Sequence, residues 1–306
     1  MLHLATHFIS FAFALALLVH FSNVAVTNIE RVSRLTGLMK FGITMVLISF
    51  FTSLPELSIA LVSSSAGYSS IAFGNLIGSC ILFLFLVLGI CVAFYGMRVT
   101  KKEIKKTFEV FALSSLLLLF GSIYGFNETY GMLSIIMFFG FYHRILSSRR
   151  RSGEEEDVEE LLVSSAKLFA SVIIIFLCAC VITYETHHFS SLFHLEETVI
   201  GATLLSVFTT LPDLTVCLVA MGRKHHDIIL GDIVGSVFFD STFGLAAVSM
   251  ISPFRITLVQ LALLSVLFFG YLIVFAFFKE GVMDRYHGIV LLSFFVLYMV
   301  LAPFLA

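Results

Sequence analysis

Residues 49–57 read Ser-Phe-Phe-Thr-Ser-Leu-Pro-Glu-Leu, and residues 206–214 read Ser-Val-Phe-Thr-Thr-Leu-Pro-Asp-Leu. Each string lies inside a long apolar run and sets a proline followed by a carboxylate in its middle. The next apolar runs carry a second matched pair, Gly74-Asn75-Leu76-Ile77-Gly78-Ser79 and Gly231-Asp232-Ile233-Val234-Gly235-Ser236. All of these residues pair at one constant offset, which marks a duplicated module.

The rest of the chain says what solvent this module lives in. Of its 306 residues 59% are hydrophobic and only 12% are charged, far from the mix of a water-soluble domain. Apolar runs divided by charged or polar breaks give ten spans, roughly 3–26, 39–66, 70–97, 107–126, 129–147, 162–185, 196–221, 227–251, 256–278 and 286–305. The predicted fold is therefore an all-α membrane protein of about ten transmembrane helices. The N-terminus lacks the basic segment and small-residue cleavage site of a signal peptide, so its apolar stretch reads as a retained first span. The five cysteines all fall in apolar runs, where neither a disulfide nor a thiolate metal site is expected.

The basic residues test this map, because cytoplasmic loops collect them. Of the 18 Lys and Arg residues, all but Arg255 fall in alternate loops or at the adjoining span ends. Both termini are then extracytoplasmic, and a multi-pass cell-membrane (plasma or inner membrane) protein is expected. A central loop runs from Arg149-Arg150-Arg151 into an acidic stretch between Glu154 and Glu160. Taken as a charged cytoplasmic linker over 151–161, it separates a first half, 1–150, from a second, 162–306. Five spans per half force the second to enter the membrane with opposite polarity, the arrangement of two inverted repeats.

A proline inside a spanning helix has no N–H for the carbonyl four residues back. Pro55 thus frees the carbonyl of Phe51, Pro212 that of Phe208, and the neighbouring Thr52 and Thr209 carbonyls loosen. Such backbone is tolerated at membrane depth only where it faces protein or a wet cavity. Helical spacing adds side chains to the same stripe: Ser49, Thr52, Ser53 and Glu56 in one half, Ser206, Thr209, Thr210 and Asp213 in the other. The following spans contribute Asn75 and Ser79, then Asp232, Ser236 and Asp240. Asn75 and Asp232 are secondary candidates, since Asp232 stands early in its helix. Carboxylates, hydroxyls and carbonyls are hard ligands suited to Ca²⁺, Na⁺ or Mg²⁺.

Charge balance decides what these groups are for. Glu56, Asp213 and Asp240 lie deep in apolar spans, and no Lys or Arg lies near the centre of any span. An ionised carboxylate there costs at least about 2.5–3.5 kcal/mol, and three converging would repel one another. A mobile cation, or protons, must neutralise them, and alternating occupancy by two such species makes an exchanger. No Ser/Lys dyad or paired His/carboxylate set lies inside the spans, so an enzyme is not expected.

The Thr52-Ser53-Leu54-Pro55-Glu56 and Gly74-Asn75-Leu76-Ile77-Gly78-Ser79 strings, with their second copies, resemble the α-repeats of the cation/calcium antiporter superfamily, particularly its prokaryotic and archaeal sodium/calcium exchangers. The resemblance covers about 40–90 and 196–250. It implies a compact core of helices 2, 3, 7 and 8, with helices 1 and 6 sliding across it. It further implies Ca²⁺ bound by Glu56 and Asp213 with the Thr52 and Thr209 carbonyls. Na⁺ would use overlapping ligands among Ser49, Ser53, Ser79, Ser206, Thr210, Ser236 and Asp240. Asp213, Thr210, Cys80, Val237 and Phe83 depart from the usual pattern. The implied function is Ca²⁺/Na⁺ antiport by alternating access, with a proton-coupled divalent exchanger as the nearest alternative and an ion channel as a remoter one. The expected partners are the bilayer and inorganic cations, with no cofactor, nucleic acid or obligate protein partner.

Overall fold

The computed structural model describes residues 2–35, 49–146, 158–193, 196–222 and 226–305. The basic-to-acidic part of the central loop and the first ten residues of the predicted second span lie outside this set. The described chain is almost wholly helical. In order come α1 (Leu2–Leu35), a helical turn at 49–52 leading into α2 (Leu54–Ser65), α3 (Ser69–Tyr95), α4 (Lys101–Tyr124), α5 (Glu128–Leu146) and α6 (Val158–Phe193). Then follow α7 (197–209), α8 (Leu211–Gly222), α9 (226–251), α10 (Leu258–Lys279) and α11 (Arg285–Leu301). Eight helices among the described residues are long and apolar enough to cross a membrane, one of them formed by α7 running on into α8.

α3 and α9 are the most deeply buried of these spans. Over Ser69–Leu82 nearly every side chain is covered, as befits a helix that is apolar on all sides. Around them α4, α5, α10 and α11 close one continuous core through residues such as Phe73, Phe83, Phe238, Leu264 and Leu291. α1 and α6 form a second cluster of their own, in which Phe11, Leu15 and Leu18 pack against Cys178, Ala179 and Ile182. That pair meets the remaining core largely through Ile59, Ile71 and Leu205.

Both helices of the outer pair outrun the apolar stretches that announce them. At 34 and 36 residues each is about 50 Å long, well over the hydrocarbon thickness of about 30 Å. Polar residues carry α1 past its apolar run by bonding backward along the helix: Thr27 Oγ1 donates to the Asn23 carbonyl (2.8 Å) and Asn28 Nδ2 to that of Val24 (2.7 Å). The pair is tied together at one end by Glu185, which accepts from Ser10 Oγ and meets His7 Nδ1 at 2.8 Å. His187 and His188 are engaged at the same end. His187 meets Glu197 (2.7 Å) and stacks on Tyr68, while His188 packs against the His7 ring.

The small residues of the motif permit close helix approach. A Cβ on Gly74 would stand 2.2 Å from the Thr198 carbonyl oxygen, one on Gly78 2.5 Å from Ala202 Cα, and one on Gly201 2.6 Å from the Ile71 carbonyl oxygen. All three obstacles are backbone, so α3 and α7 must separate to admit a methyl group. Gly78→Ala is therefore expected to cost about 2–3 kcal/mol, the upper part of the overpacking range. Gly140→Ala, with nothing within 4 Å, should instead gain about 0.5–1 kcal/mol from helix propensity. Melting temperatures of the two purified variants in one detergent check the contrast.

Local geometry recurs at the offset of the sequence motif. The helix before each proline breaks at equivalent residues, Ser53 (φ −80°, ψ 7°) and Thr210 (φ −80°, ψ −3°). Ser53 N–H donates to the Ser49 carbonyl and Thr210 N–H to that of Ser206, both at 3.1 Å. π-helical turns interrupt α3 at Phe83–Val87 and α9 at Phe239–Gly244. The two-residue strands β1 (Met97–Arg98) and β2 (Val282–Met283) pair antiparallel with Met97 opposite Met283, and an isolated bridge joins their counterparts Phe254 and Phe126. Thr100 and Thr257 head capping boxes, closed by Glu103 and Gln260.

Candidate ion-binding site

The chain folds so that each broken helix meets the third span of the other half. Thr52 Oγ1 lies 3.3 Å from Asp232 Oδ1 and 3.5 Å from Ser236 Oγ. At the equivalent place in the other half, Thr209 Oγ1 lies 3.4 Å from Asn75 Oδ1 and 3.3 Å from Ser79 Oγ. These contacts bring the two proline breaks together at the centre of the bundle. Ser49, Thr52, Ser53, Glu56, Asn75, Ser79, Ser206, Thr209, Thr210, Asp213, Asp232, Ser236 and Asp240 are all buried there. Every candidate read from the sequence is thus buried, and hydrogen bonds join Ser49, Thr52, Asp213, Asp232 and Ser236 on one side and Glu56, Asn75, Ser79 and Thr209 on the other.

Their hydrogen bonds sort the oxygens into two groups. Some are already engaged: Ser49 Oγ donates to the Asp232 carbonyl (3.3 Å), Ser206 Oγ to that of Ala202 (2.7 Å) and Thr210 Oγ1 to that of Ser206 (2.9 Å). A hydroxyl that donates its proton in this way keeps its lone pairs for a cation. Asn75 Nδ2 donates to the Glu56 carbonyl (3.4 Å), pinning the backbone just after Pro55. Asp232 has both carboxylate oxygens occupied, by Thr52 and by Cys217 Sγ at 3.5 Å.

The second group has no partner among the described residues. It comprises both carboxylate oxygens of Glu56, both of Asp240, Asp213 Oδ2 and Ser53 Oγ, each shielded from solvent. Asp213 Oδ1 accepts from Ser236 Oγ at 3.3 Å. A buried polar atom left unpaired costs about 1–3 kcal/mol, and more where charge is involved. Asp213 and Asp240 both lie within electrostatic reach of Glu56. Among the described residues none of the three meets a Lys, Arg or His in an ion pair, whereas histidines pair with Glu185, Glu197, Glu280 and Asp284 elsewhere. Clustered anionic oxygens of this kind, dry and without a fixed counter-charge, can do one thing well. They coordinate a hard cation.

Two residues at the site were invisible to sequence reasoning. Cys217 reads as one more apolar position of α8, and only the packing of α8 on α9 turns its thiol toward Asp232. Tyr298 lies far away in sequence, on α11, and its hydroxyl donates to the Ala202 carbonyl at 2.6 Å, the same acceptor that Ser206 uses. Phe83 stands where the other half carries Asp240, and it is buried in the main apolar core.

The model of the sodium/calcium exchanger protein family matches residues 6–147 and 164–303, nearly the whole chain. The chain belongs to this family. Relatives of this exchanger include the sodium/calcium exchanger MaX1 of Methanosarcina acetivorans, 27% identical over 97% of this chain and 98% of its own. An uncharacterized membrane protein of Methanocaldococcus jannaschii is 27% identical over 94% and 95% of the two chains. In structure the exchanger is similar to the sodium-calcium exchanger NCX_Mj from crystals soaked with Na⁺ and Sr²⁺, with a TM-score of 0.72, 26% identity, and 97% and 98% of the two chains covered. It is a multi-pass membrane transporter of the Na⁺/Ca²⁺ exchange class, and not an enzyme.

Proposed function

We propose that this exchanger moves Ca²⁺ against Na⁺ by alternating access through one shared site at the centre of the bundle. Glu56 and Asp213 are the central Ca²⁺ ligands, assisted by the Thr52 and Thr209 carbonyls. Na⁺ uses overlapping oxygens of Ser49, Ser53, Ser79, Ser206, Thr210, Ser236 and Asp240. The observation that carries this reading is the set of buried, unpartnered carboxylate oxygens contributed by both halves. Shared ligands make occupancy by the two ions mutually exclusive, and that exclusion couples their movements.

The architecture suits the task. The recurring breaks, π-turns and strand pairs support two inverted five-helix repeats, 1–150 and 162–306, joined by a cytoplasmic linker at 151–161. α2 with its preceding turn, and α5, complete ten transmembrane helices. The distribution of Lys and Arg puts both termini outside the cell membrane. The separate apolar cluster of α1 and α6 lets this pair slide over the core and open the site to one side at a time.

Proteoliposomes loaded with Na⁺ and diluted into Na⁺-free medium should accumulate radioactive calcium, and should stop when the Na⁺ gradient is collapsed. Uptake that ignores the Na⁺ gradient but follows an imposed pH gradient would overturn the Na⁺ coupling.

A further inference from the structure

The chain carries two equivalent strand junctions, and they differ in a way the fold does not require. At one, the Phe254–Phe126 bridge is closed by aromatic packing: the two rings stack 5.0 Å apart and Phe73 meets both edge-on. At the other, Met97 pairs with Met283, and beside the pair a cavity of about 530 Å³ opens, lined by Arg98, His226, Asp284 and Arg285. The charges differ as well. The position equivalent to Arg98 is Arg255, but those equivalent to Asp284 and Arg285 are Asn127 and Glu128, so one base and one acid at the first junction become two arginines and one acid at the second.

Two guanidinium groups on one small cavity repel each other unless an anion joins them. Neither Arg98 nor Arg285 forms an ion pair among the described residues. Asp284 offsets only one of the two charges, and its Oδ1 is engaged in capping α11. It accepts from the Tyr286 and His287 backbone N–H groups (3.0 and 3.3 Å) and meets His287 Nδ1 at 2.7 Å. These bonds, the one from the His287 backbone foremost, hold the Asp284 carboxyl below the usual carboxylate range. His226 adds a buried Nδ1 with no partner among the described residues.

The backbone that carries the two arginines is fixed. Arg98 is in β1, fixed by its pairing to Val282, and the Val99 N–H donates to the Gly281 carbonyl at 3.0 Å. Arg285 is the first residue of α11. The planar fork of arginine matches phosphate oxygens in pairs. Around the cavity Phe94, Tyr95 and Tyr286 are exposed, the aromatic belt of a membrane–water interface. The face is the one that gathers Lys and Arg, where anionic lipid attracts basic groups.

We infer that this cavity binds a phosphate group, presented by the headgroup of an anionic phospholipid, with Arg98 and Arg285 as its principal ligands. The test is native mass spectrometry of the full-length protein in detergent supplied with phosphatidylglycerol, phosphatidylcholine or inorganic phosphate. Retention of phosphatidylglycerol over phosphatidylcholine is expected, falling at least tenfold in the Arg98→Gln/Arg285→Gln double variant and unchanged in Arg255→Gln. Should the double variant not fold, Arg285→Gln alone, a change at an exposed helix start, is expected to lower retention severalfold. Retention unchanged by removing these arginines would overturn the assignment. Complete displacement of the lipid by millimolar inorganic phosphate would overturn the lipid as its source.

Discussion

Glu56→Gln should abolish Na⁺-dependent Ca²⁺ uptake, lowering it at least a hundredfold while leaving the protein folded. The exchange keeps the side chain's shape and one carbonyl oxygen but removes a full negative charge from a dry site. In a low-dielectric interior a charge-assisted contact is worth roughly twice a neutral one, and breaking a buried ionic contact costs about 3–5 kcal/mol. At about 1.4 kcal/mol per decade that is a loss of two to three orders of magnitude in ion occupancy. Both oxygens of Glu56 are unpartnered among the described residues, so no structural hydrogen bond is sacrificed and the fold has little reason to fail. Ser49→Ala is the comparison. The Ser49 hydroxyl already donates to the Asp232 carbonyl, and a neutral ligand lost from the periphery should cost no more than about tenfold. Radioactive calcium uptake into Na⁺-loaded vesicles measures both, and a Glu56→Gln protein that still transports within severalfold of the unmodified chain would remove Glu56 from the centre of the mechanism.

The sequence foretold the centre of this molecule better than its margins, for physical reasons. A proline and a carboxylate inside an apolar run are costly wherever they occur, so finding them twice, in register, left few explanations, and the structure brings Glu56 and Asp213 into one buried region. Helix ends were harder. Thr27 and Asn28 look like a stop signal, yet their side chains bond back along α1 and prolong it. The π-turns at Phe83 and Phe239 leave no compositional trace, since a single extra residue per turn needs no particular side chain. The Met97–Met283 strand pair is two residues long, too short for any alternation to register. Cys217 belongs to the same class, because a thiol facing a carboxylate is a fact of packing rather than of pattern.

The second large effect concerns stability rather than transport. With Ca²⁺ chelated and Na⁺ replaced by choline, the unmodified protein should melt well below its value in millimolar Ca²⁺, because the ion binds the folded site and not the unfolded chain. An ion present at a hundred times its dissociation constant adds about 2.7 kcal/mol, and for a chain of this size roughly 2 °C accompanies each kcal/mol. A fall of about 5 °C is expected, reversed by Ca²⁺ and by high Na⁺ separately. The Glu56→Gln/Asp213→Asn double variant should lose the response to Ca²⁺ altogether and melt at least as high as the unmodified chain in the cation-free buffer. Carboxamides fill the same volume without the repulsion among Glu56, Asp213 and Asp240, so the variant has less need of an ion to hold its halves together. Loss of function and gain of cation-free stability would then come from the same two substitutions, as expected when anionic groups are kept for transport at the expense of the fold. Melting curves of both proteins across the three buffers decide it, and a double variant that still responds to Ca²⁺ would mean that the ion sits elsewhere.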